Sequence, residues 1–155
     1  MATDFWTMSF DRGETVSLEL TIQVQNQHSG ADLMIKPDIP GMPTLALGRC
    51  VVDVAGITAA ASEEGYHVIF TCACGYPGCA GHGAVRVRFE DDLAIWEWSR
   101  SRPFRAVFAR TQVEKHVTRT IDVARVVWNA LKRHDPQATW TPADNSAALA
   151  ERLDE

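Results

Sequence analysis

The sequence predicts an α+β fold: an antiparallel sheet of about six strands with one long C-terminal helix packed on one face. Three observations predict it. The stretch TVSLELTIQV, residues 15–24, alternates strictly between apolar and polar side chains, and AVRVRFE does the same later in the chain. Period two marks a strand with one face on a core. From Thr111 to Leu131 the apolar period becomes that of a helix. Strands followed by one long amphipathic helix make an α+β arrangement rather than a repeating α/β one.

Taken in order, DFWTMSF and the turn DRGE supply a hairpin partner for the first clear strand. In that strand Val16, Leu18, Leu20, Ile22 and Val24 share a face. ADLMIKPDI is a weaker strand, which Pro37 either confines to an edge or ends, because proline offers no ladder amide. IPGMPTLALG is a loop. RCVVDVAGI reads as a strand with Cys50, Val52 and Val54 on one face. YHVIFTCAC reads as another, with Val68, Phe70, Cys72 and Cys74 aligned. AVRVRFE sets Val85, Val87 and Phe89 against Arg86, Arg88 and Glu90. Asp91 and Asp92 form a two-residue turn into LAIWEW, where Trp96 and Trp98 face one way and Ile95 the other. RPFRAVFAR adds a last strand.

The helix stripe is Val113, Val117, Ile121, Ala124, Trp128 and Leu131. Thr111 and Glu114 fit a capping box, and Lys132 and Arg133 suit the carbonyl end of the helix dipole. Pro136 limits its continuation, so residues 1–136 form a single domain and 137–155 a loosely ordered tail. Within that tail Trp140 offers an anchor and ADNSAALAERL a short helix. Trp96 and Trp98 are core residues on this reading, with Trp128 as their neighbour; an aromatic binding platform is the weaker alternative.

The chain of 155 residues has a net charge of −5, unevenly spread. Residues 84–134 hold eleven basic and six acidic side chains, and the flanks are acidic. A basic middle raises nucleic-acid binding through Arg86, Arg88, Arg100, Arg102 and Arg105. Strand alternation accounts for most of these arginines as the wet face of a sheet, which disfavours that reading. No apolar run approaches the roughly 18 residues that span a bilayer. The opening MATDFWTMSF carries Asp4 and no basic segment, so the expected location is the cytoplasm, where thiols stay reduced.

Chemistry concentrates in TCACGYPGCAGHG, residues 71–83. Cys72, Cys74, Cys79 and His82 give C-x-C-x4-C-x2-H, a set of soft and borderline donors suited to one tetrahedral zinc ion. Positions two apart on a strand point the same way, so Cys72 and Cys74 converge. The glycines let the chain turn back toward them. Two alternatives stay open: a glycine-rich connection whose cysteines are small buried hydrophobes, and a redox pair. Cys50 is expected in the core and serves as the reserve ligand in place of His82.

No deaminase signature is present, since none of His67, His116 and His134 begins H-x-E and no P-C-x-x-C follows. Nucleotide-binding loops and the nucleophile elbow are also missing. His28 reads as a turn residue, and His67 as exposed or a cross-strand partner.

FTCACGYPGCAG followed by VRVRFEDDLAIWEW resembles a group of small bacterial proteins that carry C-x-C-G-x2-G-C between two strands. The resemblance covers roughly residues 66–131, on Cys72, Cys74, Gly75, Gly78 and Cys79. His82 lies outside that pattern, which has an apolar residue there. Some members of the group are immunity-like, and the resemblance implies no catalytic activity. The expected function is therefore a non-enzymatic intracellular protein-binding module with a zinc-stabilised Cys/His loop. Its sharpest version is an acidic immunity-type protein that blocks a basic toxin. The alternatives are a thiol- or metal-dependent enzyme built on the same cysteines, and then a nucleic-acid binder.

Overall fold

A computed structural model of the chain describes residues 15–42, 50–73, 84–98 and 104–151. The α+β class holds: the strands pair almost entirely antiparallel, and one long helix packs on them. The expected single sheet is instead three sheets among the described residues, of three, two and four strands. The DFWTMSF segment lies outside the described residues.

The alternating segment forms β1, Glu19–Gln27, which pairs antiparallel with β2, Gly30–Asp38. His28 lies in the turn between them, as expected. ADLMIKPDI is not an edge strand at Asp32 and Leu33, where β2 lies between β1 and β9, Thr139–Trp140, but it ends at Asp38, one residue past Pro37. Pro37 is tolerated because 20–37 is a non-hydrogen-bonded pair, in which the Leu20 amide points out of the β1–β2 ladder to His116 Nε2 at 3.1 Å, and the β9 pairing on the other side of β2 reaches only Asp32 and Leu33. Gln112 also reaches the chain just before β1, donating to the Leu18 carbonyl at 3.3 Å.

RCVVDVAGI is not one strand. Cys50–Val52 forms the short β3, and Val54–Ser62 turns into a helix, α1. Asp53 ends the strand because it caps the helix, accepting from the Gly56 amide at 2.7 Å. Val54, Ile57, Ala60 and Ala61 form the buried stripe. YHVIFTCAC is likewise broken, into β4, Gly65–His67, and β5, Phe70–Cys72, which belong to different sheets. The break shifts the alternation, so Val68 is exposed and Ile69 is fully buried, the reverse of the expected pattern.

The four-stranded sheet runs β4–β6–β7–β8, with β6 at Val85–Glu90, β7 at Leu93–Trp98 and β8 at Phe104–Ala109. Asp91 takes a φ of 54° in the tight β6–β7 turn, a conformation aspartate tolerates. Val85, Val87, Ala94, Trp96, Trp98, Ala106 and Phe108 face the core. Trp96 meets Phe108 edge-on at 4.9 Å, and Trp98 stacks on Phe70 at 6.0 Å. Both tryptophans are thus core residues and not a platform.

The long helix, α2, runs Arg110–His134 and starts directly out of β8. The Thr111–Glu114 capping box does not form, because the helix begins two residues earlier, with Ala109 at the cap position. The Arg110 amide bonds the Asp92 carbonyl instead, at 2.8 Å, and Glu114 pairs with Arg110. Val113, Val117, Ile121 and Ala124 are buried as the stripe requires, whereas Trp128 and Leu131 are half-buried. Trp128 packs on Trp140 at 5.6 Å, and not on Trp96 or Trp98.

Beyond Pro136 the chain is tied to the body. Trp140 in β9 is buried and pairs in parallel register with Leu33 of β2. Buried Asp32 accepts from the Thr139 and Thr141 hydroxyls at 2.9 and 2.8 Å. The final helix, α3, Asp144–Glu151, carries buried Asn145, which accepts from the Val54 amide and donates to the Val52 carbonyl. No helix among the described residues is long and apolar enough to cross a membrane.

Candidate functional site

The first candidate lies where β3 meets β5. These strands pair antiparallel with Val52 opposite Phe70, Val51 opposite Thr71 and Cys50 opposite Cys72. Opposed residues point to the same face of a sheet. Both thiols are therefore on the face of Val52 and Phe70, and both are buried. Burial, reinforced by the neighbouring Cys72 and opposed by Lys36, pushes the Cys50 thiol up to about 12. At neutral pH it keeps its proton, which is the wrong state for a nucleophile.

Of the four ligands expected from the sequence, Cys72 ends β5 and is buried. Cys74, Cys79 and His82 lie outside the described residues. Among the described residues no group of three or more histidine, cysteine or carboxylate side chains forms a metal cluster. Cys50, placed in reserve by the sequence, is the residue that the strand pairing brings to Cys72.

The arginine-rich strands hold a second arrangement. Glu97 of β7 is 1% exposed. In register it stands between Arg86 of β6 and Arg105 of β8. Arg88 donates to its Oε1 at 2.6 Å and Arg105 at 3.2 Å, while Arg86 lies 3.7 Å from Oε2. Ile95 and Val107 on the same face are also buried. The arginines are thus not simply the wet face of a sheet. Three guanidinium groups hold one carboxylate that has left water, and burial of a charge requires such partners. Glu97 was missed in the sequence, although a single acid opposite alternating arginines was its signal. Arg100 and Arg102 lie outside the described residues.

Beside this cluster, Tyr66 of the edge strand β4 stands opposite Arg86 and is 72% exposed. Val68, two residues on, is 53% exposed. His67 between them is half-buried, its Nε2 2.9 Å from the Glu63 carbonyl oxygen. A separate groove of about 340 Å³ runs between β1 and α2, lined by residues that include Ile22, His116, Arg119 and Val123. Its imidazole, His116, accepts the Leu20 amide at Nε2, and no carboxylate or thiol is among its described lining residues.

Compared with family models, curated proteins and solved structures, the chain matches none.

Proposed function

We propose that this chain is a non-enzymatic protein-binding module whose cysteine loop is stabilised by zinc. The observation that carries the binding role is the exposure of Tyr66 on the edge strand β4 opposite Arg86, with Val68 exposed just past the end of that strand. Tyrosine and arginine are the residue types that dominate protein-interface energy, and a lone edge strand presents backbone groups as well. Val68 leads in sequence straight into β5 and the cysteine loop, so the two features are joined by a few residues of chain.

An immunity-type protein that blocks a toxin is the sharpest form of this reading. It draws on the resemblance carried by Cys72, Cys74, Gly75, Gly78 and Cys79. The net charge of −5 on this chain asks for a basic surface on that partner. A thiol enzyme built on Cys72, Cys74 and Cys79 has less support, because Cys72 is buried. A nucleic-acid binder also has less, because Arg88 and Arg105 are committed to Glu97.

The test is capture from the native host on immobilised full-length chain, run beside a Tyr66→Ser/Val68→Asp double variant with the same unfolding midpoint. A partner retained by the natural sequence and lost from the variant is the expected result. Equal capture by both would remove this patch from the function. Elemental analysis of protein purified without chelator tests the zinc, with about one ion per chain expected.

A further inference from the structure

We propose that the chain self-associates through the outer edge of β1, which pairs antiparallel with β1 of a second copy about a two-fold axis at Val24. This surface is separate from the Tyr66 patch and goes beyond the function proposed above.

In the three-stranded sheet β2 lies between β1 and β9, so β1 has one unpaired side among the described residues. The alternation of the ladder says which groups lie there. Since 20–37 is a non-hydrogen-bonded pair, 22–35, 24–33 and 26–31 are too. The amides and carbonyls of Ile22, Val24 and Asn26 therefore point away from β2, as the Leu20 amide does. Leu20 is closed off by His116, and at the other end β1 stops at Gln27, before the hairpin turn. The open edge is residues 21–27, and Val24 is its midpoint.

That symmetry selects the occupant. A dyad at Val24 sets Ile22 opposite Asn26 of the second copy, and Val24 opposite Val24. Opposed residues of such pairs exchange both backbone hydrogen bonds, so every outward group from Ile22 to Asn26 is satisfied in both copies. Gln27 of the second copy then falls opposite Thr21, just short of the His116 contact. Residues 21–27 carry no ionisable side chain, so the two strands meet without like charges facing each other. Edges that stay single are ordinarily guarded by lysine, proline or a bulge, and this stretch has none of them.

Apolar exposure gathers at the same place. Val24 is 46% exposed, on the face of β1 that also carries Leu20 and Ile22. Ile22 and Val123 line the groove between β1 and α2. Val123 is 46% exposed, and Val126, on the same side of α2, is 68% exposed. A short strand pair alone falls below the roughly 800 Å² per partner of a stable interface, and these valines extend the surface across the helix layer.

Sedimentation equilibrium of the full-length protein should give the mass of two chains, falling toward one on dilution. Hydrogen exchange should show the Ile22, Val24 and Asn26 amides protected in the dimer and losing that protection on dilution. The Gln23 and Gln25 amides, bonded within the β1–β2 ladder, should stay protected throughout. Val24→Lys puts two ammonium groups at the dyad and should shift the protein to monomer with an unchanged circular dichroism spectrum. Val123→Asp/Val126→Asp should raise the dissociation constant. A monomer at every concentration would overturn the proposal, as would a dimer that persists in Val24→Lys or leaves the Ile22 and Val24 amides unprotected. A monomer that gains protection at these amides only when host extract is added would assign the edge to a different protein and equally remove the second copy. The exchange measurement uses the natural sequence, so a variant that fails to fold does not block the test.

Discussion

Gly56 of α1 lies directly against the carbonyl oxygen of Val68, with no room for a Cβ between them. The contact lets the helix settle onto the chain between β4 and β5. It also inverts an ordinary expectation. Inside a helix, glycine to alanine stabilises by roughly 1 kcal/mol. Here the added methyl meets rigid backbone, and overpacking of that kind costs about 1–3 kcal/mol. Gly56→Ala should therefore unfold at lower urea than the natural sequence. An unchanged or higher midpoint would show that α1 can lift off this contact freely.

Glu97 sets up a graded series. Glu97→Ala leaves Arg88 and Arg105 without the carboxylate they bind at 2.6 and 3.2 Å. Removing one partner from a buried charge group costs about 3–5 kcal/mol. Arg86→Ala removes only a long contact of 3.7 Å from a side chain that is 42% exposed, and should cost less than about 1 kcal/mol. Equal losses in the two variants, measured by denaturant unfolding, would contradict the inward role of the acid.

Asp53 gives a pH dependence with a defined sign. Burial raises its pKa above the ordinary 3.8, opposed by the Gly56 amide and reinforced by Asp144. A raised carboxyl pKa means the folded chain holds the proton more tightly than the unfolded chain does. Its contribution to stability is present below the unfolded pKa and is lost as pH rises through the folded one. Asp53→Asn keeps a capping side chain but cannot ionise. The variant should gain stability relative to the natural protein near neutral pH, and the gain should shrink as the pH falls through the Asp53 transition. A gain that grew in acid would reverse the assignment.

Trp140 should matter more than Trp128. Trp140 is 2% exposed in a strand that pairs with β2, whereas Trp128 is half-buried beneath it on the helix. Truncation of a buried tryptophan costs about 3–5 kcal/mol, so Trp140→Ala should fall in that range and Trp128→Ala below it. Thermal unfolding of both variants checks the order. A larger loss at Trp128 would mean that the chain after Pro136 contributes little to the core.

Where a pattern ran long enough, the sequence alone determined the outcome. Val85, Val87 and Phe89 alternate with charged neighbours, and Val113, Val117, Ile121 and Ala124 recur at helical spacing. Each makes a surface that only one kind of element can bury, so β6 and α2 were legible. The short α1 was not, because Val51, Val52 and Val54 look like strand residues until Asp53 is read as a cap and Ala59–Ala61 as a helical run. Cys72 was visible as a candidate ligand from its loop. Its facing partner Cys50 and the buried Glu97 were decided by strand register, which joins residues far apart in the chain. Local periodicity says which face a side chain takes. It does not say which other strand will lie beside it, because that depends on how all the apolar faces close together into one core.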